Sequence, residues 1–194
     1  MGSGEFEIIR EYILIPEKFH SFLTEGPFER CIICNRYLLG EGEHYLIEKG
    51  YKQTEVIFEY AMCFSCAEKM RGELSRESLQ RIEAHFEERV DFSARRRRLL
   101  QVSTDDIEPW ISRCILTKNK LQETDDYQIY AHCVGEHLVF SGCPYMVCGE
   151  ALGGLYKLLS KKTRDAMDDF VDEYLGLPSE FKDLAPEEGP LVLI

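Results

Sequence analysis

Two closely spaced cysteine pairs constrain the fold of this chain more than any other feature. Two residues separate Cys31 from Cys34, two separate Cys63 from Cys66, and 28 residues lie between the pairs. Such spacing lets a tight turn direct both sulfurs of a pair at one ion, and Zn²⁺ accepts four such ligands in a tetrahedron. We therefore predict one structural Zn²⁺ bound by Cys31, Cys34, Cys63 and Cys66. Four thiolates leave no open coordination position for a water nucleophile, so the expected metal stabilises the fold and does not perform hydrolysis.

The residues around the cysteine pairs predict the elements that hold them. Asn35 follows the first pair and tolerates the left-handed backbone of a turn. Residues 44–49 and 54–60 are two short runs that carry Tyr, Ile, Val and Phe, which predicts a β-hairpin with its turn at residues 50–53. Helix formers follow Cys66, which predicts a short helix there. Residues 31–74 thus contain a cysteine-bearing turn, a hairpin, a second cysteine pair and a helix, and this order resembles a treble-clef zinc finger. The resemblance implies a zinc module and leaves its function open, because that architecture serves many functions.

Length and composition set wider limits. The chain has 194 residues, of which 44% are hydrophobic and 30% charged, which fits one larger domain or two small ones. No run approaches the 18 to 20 apolar residues of a transmembrane helix, and the first twelve residues lack the basic and apolar regions of a signal peptide. We therefore expect a cytoplasmic protein without a membrane segment. Thiols stay reduced in the cytosol, so the 8 cysteines indicate metal binding or thiol chemistry in preference to disulfides.

An internal repeat is indicated between the two halves. Residues 30–32 and 113–115 share the sequence Arg-Cys-Ile at a shift of 83. A shift of 82 then matches several strand and cysteine positions, namely Leu39 with Leu121, Tyr45 with Tyr127, Ile47 with Ile129, Phe58 with Phe140 and Cys66 with Cys148. Ser75 and Ser160 precede helical runs in the two halves and are predicted N-caps. Trp110 is predicted to anchor the core or the junction of the two modules.

The predicted fold class is α+β, with two tandem treble-clef-like modules of which the second is degenerate. The zinc-binding module spans residues 8–92, an Arg-rich linker spans 93–103, the degenerate copy spans 104–176, and an extended, Pro-containing acidic tail spans 177–194.

The second copy lacks a complete set of metal ligands. Thr117 and Tyr145 stand where the alignment places Cys34 and Cys63, so we expect hydrophobic packing to replace the metal. A second metal site remains the alternative. Its candidate ligands are Cys114, Cys133, Cys143, Cys148 and His132.

The net charge of −12 is concentrated near the C-terminus. Residues 165–194 hold nine acidic residues and one basic residue, Lys182, which together contribute −8. The run from Arg95 to Arg98 could bind phosphates, but it lacks a recognition helix or a stacking motif, so a solvated helix end or linker is favoured. We therefore expect an unidentified protein partner in preference to a nucleic acid.

The leading functional hypothesis is a non-catalytic zinc-binding protein that acts as a protein–protein interaction or adaptor module. The alternatives are a zinc thiol redox switch or metal-transfer protein, a nucleic-acid-binding protein, and a His-Asn-His nuclease, for which the hairpin offers only His44. The chain has no H-E-x-x-H, G-x-S-x-G, P-loop or G-x-G-x-x-G motif. No catalytic residue, organic cofactor or small-molecule substrate is predicted.

Overall fold

The computed structural model describes residues 11–102 and 105–176. The predicted acidic tail at 177–194 lies outside the described residues. The expected α+β class is confirmed, because an antiparallel sheet packs against separate helices.

Six strands and six α-helices make up the described part of the chain. The strands are β1 (Tyr12–Leu14), β2 (His44–Lys52), β3 (Glu55–Cys63), β4 (Asp126–Val134), β5 (His137–Val139) and β6 (Tyr145–Cys148). The helices are α1 (Phe64–Glu73), α2 (Arg76–Glu87), α3 (Phe92–Val102), α4 (Glu108–Ile111), α5 (Gly149–Tyr156) and α6 (Lys161–Phe170). A π-helical turn at Val171–Leu175 extends α6, and 3₁₀ turns lie at Glu17–Phe19 and Leu121–Glu123.

Strands β2 and β4 join the halves of the chain within the sheet. The strand order is β1-β5-β4-β2-β3, and β6 also pairs with β4. Strands β2 and β4 are antiparallel over their full length, from the pair His44 and Val134 to the pair Lys52 and Asp126. Both β5 and β6 lie on the other edge of β4, β5 near Cys133 and β6 from Tyr127 onwards. The halves therefore share one sheet.

The predicted hairpin is present, but its turn lies later than expected. Strand β2 continues through Gly50 to Lys52, and only Gln53 and Thr54 connect it to β3. Gln53 has a φ of 56°, which a tight turn of this kind requires. Gly50 indicated a turn in the sequence, yet its role is steric: a Cβ there would overlap the ring of Phe58 on the facing strand.

The predicted N-caps are confirmed, and they also connect the two halves. Ser75 Oγ accepts a hydrogen bond from the Ser78 N–H at 3.1 Å, and Ser160 Oγ accepts one from the Thr163 N–H at 3.3 Å. Ser160 Oγ donates to Ser75 Oγ at 2.8 Å. The Ser75 N–H donates to Thr163 Oγ1 at 2.9 Å, and the Ser160 N–H donates to Ser78 Oγ at 2.8 Å. Hydroxyl groups at the N-terminus of each helix thus accept hydrogen bonds from backbone N–H groups of the other helix, which have no partner within their own helix.

Trp110 lies in the core, as predicted, and the arginine run packs close to it. The indole is buried and stacks on Phe140 with ring centroids 4.8 Å apart. Residues 95–98 belong to α3, and Arg95 donates to three backbone carbonyl oxygens, those of Gly142, Trp110 and Pro144. Arg95 therefore stabilises the loop between β5 and β6.

Among the described residues, no helix combines the length and the apolar character that crossing a bilayer demands.

Candidate metal centre

The structure brings the four predicted ligands together. The sulfur atoms of Cys31, Cys34, Cys63 and Cys66 all lie within 4.8 Å of one another. The Sγ atoms of Cys34 and Cys63 are 3.7 Å apart. Zn–S bonds of about 2.3 Å in a tetrahedron place neighbouring sulfurs about 3.8 Å apart, so the observed spacing suits a four-coordinate ion.

The first cysteine pair lies on a tight turn that is fastened to the sheet. The Asn35 N–H donates to the Cys31 carbonyl at 2.9 Å, and Asn35 has a φ of 57°, the left-handed backbone expected there. The Cys31 N–H donates to the Arg36 carbonyl at 2.9 Å. The Ile32 N–H donates to the carbonyl of Ala61 in β3 at 2.9 Å. These bonds hold Cys31 and Cys34 beside the end of β3.

The second pair lies where β3 passes into α1. Cys63 is the last residue of β3 and the N-cap of α1, and Cys66 lies in the first turn of that helix. The Cys63 N–H donates to Cys31 Sγ at 3.5 Å. The end of β3 and the first turn of α1 therefore place the sulfurs of Cys63 and Cys66 beside those of the first pair.

The four thiols differ in exposure and in acidity. Cys31, Cys63 and Cys66 are buried, whereas Cys34 is exposed. Burial raises the pKa of Cys63 and of Cys66. The small burial of Cys34 acts in the same direction, but hydrogen bonds from the Arg36 N–H and the neighbouring thiols outweigh it and lower the pKa of Cys34 to about 7. A bound cation would offset the repulsion of four adjacent thiolates, so metal binding would release protons.

The second half contains a similar turn without the full set of sulfurs. The Cys114 N–H donates to the Asn119 carbonyl at 2.8 Å, and Lys118 has a φ of 67°. The Cys148 N–H donates to Cys114 Sγ at 3.4 Å, and Thr117 Oγ1 lies 3.3 Å from Cys148 Sγ. Hydrogen bonds with the Cys148 thiol and with backbone N–H groups lower the pKa of Cys114 to about 5. A hydroxyl and two thiols occupy three of the four positions that sulfurs hold in the first half.

The strand register corrects the alignment of the cysteines. Tyr45 lies opposite Cys63 across β2 and β3, and Tyr127 lies opposite Cys148 across β4 and β6. Cys148 therefore corresponds to Cys63, and the predicted match with Cys66 is wrong. The reason is that the additional residues of the second half lie in the loop between β5 and β6, whereas the alignment placed them after the hairpin. Ala151 then takes the position of Cys66.

The other candidate ligands of a second metal do not come together. Cys133 and His132 are consecutive residues of β4, so their side chains point to opposite faces of the sheet. His132 Nε2 lies 3.0 Å from His44 Nδ1, and Cys143 precedes a cis-proline in the loop between β5 and β6. Within residues 11–102 and 105–176, the tetracysteine cluster is the one group of three or more Cys, His, Asp or Glu side chains whose ligand atoms lie close enough to share an ion.

Two buried charged residues in β2 were missed by the sequence reasoning. Lys49 Nζ lies 3.0 Å from a carboxylate oxygen of Glu59, and the neighbouring Glu48 is buried on the opposite face of the sheet. The repeat contained an indication of this burial, because at a shift of 82 the second half has Tyr130 and Ala131 at the corresponding positions. Apolar counterparts on both faces indicate a strand that is covered on both sides.

No protein-family model, no curated protein and no solved structure matches this chain.

Proposed function

We propose that Cys31, Cys34, Cys63 and Cys66 bind one structural Zn²⁺, and that the chain is a non-catalytic, cytoplasmic zinc-binding protein that acts as a protein–protein interaction or adaptor module. The observation that carries this proposal is the clustering of four sulfurs within 4.8 Å of one another. Soft thiolate ligands with tetrahedral spacing favour zinc, and a complete coordination sphere favours a structural role.

The contacts around the two turns support a pair of related treble-clef-like modules. In each half a Cys-containing turn donates a backbone N–H to the hairpin strand, from Ile32 to Ala61 in one half and from Ile115 to Met146 in the other. In each half the cysteine that ends the strand donates its N–H to the first cysteine of the turn. The second module would be stable without an ion, because Leu152 and Leu155 of α5 are buried in its core.

An exposed apolar pair supports the interaction role. Phe22 and Leu23 are 73% and 87% exposed. Their loop is held in place, because the Phe22 N–H donates to Glu59 Oε1 at 2.7 Å and Ser21 Oγ donates to the same oxygen at 2.9 Å. Two adjacent large apolar side chains on an anchored loop can fill an apolar pocket of a protein partner at little entropic cost.

Cobalt substitution tests the metal centre. The full chain loaded with Co²⁺ is expected to show the absorption bands of a tetrahedral tetrathiolate site, and Cys66→Ser is expected to shift them to those of three sulfur ligands. Cys148→Ser is the matched control, since that cysteine corresponds in position to Cys63 but lies outside the cluster. An octahedral spectrum, or a spectrum that responds to Cys148→Ser and not to Cys66→Ser, would contradict the assignment.

The interaction role has a separate test. The double variant F22S/L23S is expected to keep its metal and to lose partners that the unmodified chain retains reproducibly from cell extract. Glu25→Gln in the same loop serves as the control and should retain them. An unchanged set of bound proteins in F22S/L23S would place the partner surface elsewhere.

A thiol redox switch is the second candidate function, favoured by the exposure of Cys34. Hydrogen peroxide would oxidise two of the four metal-bound thiolates to a disulfide, two protons from solvent would complete two water molecules, and the metal would leave. Metal release by one equivalent of peroxide, reversed by a dithiol reductant and zinc, would support this candidate over the purely structural role.

A further inference from the structure

A cavity lies over the junction of β2 and β4, on the face of the sheet that carries the side chains of Leu46 and Glu48. Its volume is about 150 Å³. Apolar and aromatic side chains line it together with one carboxyl group; the lining includes Leu46, Glu48, Tyr60, Tyr130, Cys143 and Tyr145. None of the four clustered cysteines contributes to it, so it is a site separate from the candidate metal centre.

Glu48 is the one acidic residue of this lining. Its side chain lies centrally in the sheet, between Tyr60 of β3 and Tyr130 of β4 in the strand register. The residue is 3% exposed. The Tyr60 hydroxyl donates to Oε2 of the carboxylate at 2.5 Å, whereas Oε1 is buried and accepts no hydrogen bond from the described residues.

The carboxyl group lacks a counter-charge among the described residues. Burial raises the pKa of Glu48 well above its usual range, and the hydroxyls of Tyr60 and Tyr130 oppose that shift only in part. Lys49, the next residue, faces the other side of the sheet and pairs with Glu59. Arg95 donates to the carbonyls of Gly142, Trp110 and Pro144. A carboxylate without a paired cation in an apolar site is costly, and a cationic ligand would remove that cost.

We infer that this cavity binds an alkylammonium group. An N–H of the ammonium would donate to the unpartnered Oε1 of Glu48, and its alkyl groups would pack against Leu46 and the phenol rings of Tyr60, Tyr130 and Tyr145. Carboxylate pairing and aromatic rings are the two interactions by which proteins recognise alkylated ammonium groups.

The size and position of the cavity suit such a ligand. An apolar cavity of about 150 Å³ holds a benzene-sized molecule, and a tert-butylammonium ion is of similar size. Leu46, Cys143 and Tyr145 are partly exposed, whereas Glu48, Tyr60 and Tyr130 are buried. The mouth therefore lies at Leu46, Cys143 and Tyr145, and the carboxyl group lies deep in the cavity.

Calorimetric titration of the purified full chain tests the inference with two isosteric probes, tert-butylammonium chloride and tert-butanol. The ion is expected to bind with a stoichiometry of one, and the neutral alcohol at least about tenfold more weakly, because it cannot form the charge-assisted hydrogen bond. A peptide that contains dimethyllysine is titrated in parallel, and tighter binding of that peptide would identify a protein side chain as the source of the ammonium group.

Two variants and one spectroscopic signal assign the binding to Glu48. Glu48→Gln preserves the shape and the bond from Tyr60, so the variant should fold, and it is expected to weaken ion binding about tenfold or more. Glu55→Gln, at an exposed position on the same hairpin, is the control. The ¹³C signal of the Glu48 carboxyl should move to the ionised position when tert-butylammonium binds. Equal affinity for the alcohol, unchanged binding in Glu48→Gln, or no binding of either the ion or the peptide would overturn the inference.

Discussion

Gly50 shows how one residue links the hairpin to its packing. The position lies opposite Phe58 in the β2–β3 register, and the ring of Phe58 occupies the space that a side chain at position 50 would need. A glycine within a strand otherwise costs stability, since it adds conformational entropy to the unfolded chain. The ring of Phe58 therefore compensates for the glycine by packing over it.

Gly50→Ala is expected to lower the free energy of unfolding by about 1 to 3 kcal/mol, because the new Cβ would overlap the Phe58 ring and force it to move. Gly72→Ala in α1 is the matched control. Nothing lies within 4 Å of a Cβ at that position, so the free energy of unfolding should rise, by up to about 1 kcal/mol. Urea denaturation measures both changes. Equal effects of the two substitutions would refute the steric role of Gly50.

At the scale of elements, the N-termini of α2 and α6 form one joint polar cluster. Ser75, Ser78, Ser160 and Thr163 each contribute a hydroxyl, and each is at least partly buried. The two caps are far apart in the chain, so their mutual hydrogen bonds connect the first half of the molecule to the second. A cap of this kind depends on the other helix being in place.

A double-mutant cycle measures this dependence. Ser75→Ala and Ser160→Ala are each expected to lower the free energy of unfolding by about 1 kcal/mol, the usual effect of losing an N-cap. The double variant should lose less than the sum, with a coupling energy of at least about 0.5 kcal/mol, because the two hydroxyls are hydrogen-bonded at 2.8 Å. Additive effects in urea denaturation would mean that the two caps act independently.

Elements fixed by local chemistry could be predicted from the sequence. The two cysteine pairs, the caps at Ser75 and Ser160 and the start of α1 depend on neighbours in the chain, so spacing and residue type suffice. The turn of the first hairpin was misplaced because glycine is typical both of turns and of strand positions over which an aromatic ring packs. Local patterns do not separate these cases.

Long-range pairing could not be predicted in the same way. The contact between β1 and β5 joins residues near Tyr12 to residues near Val139, and no local pattern encodes it. The correspondence of Cys148 with Cys63 depends on a loop insertion that shifts the alignment without altering the strands that flank it. Glu48 was overlooked because a charged residue in a strand normally indicates a solvent-facing position.

At the scale of the whole molecule, the tetracysteine cluster and the shared sheet combine the chain into one structure. The cluster fastens the Cys31–Cys34 turn to the end of β3, β3 pairs with β2, and β2 pairs with β4 of the second half. A metal at the cluster would thus support a sheet that extends through both halves. The second half has a threonine and two cysteines at three of the four related positions, so its stability would depend on packing and on this sheet.

Metal content per chain, measured by elemental mass spectrometry on the purified full chain and on two variants, tests the central claim most directly. We predict one zinc per chain, loss of that zinc in Cys34→Ser, and its retention in Cys143→Ser, since Cys143 lies in the loop between β5 and β6 and outside the cluster. A chain without zinc, a chain with two zinc ions, or a Cys34→Ser variant that keeps one tightly bound zinc would contradict the account.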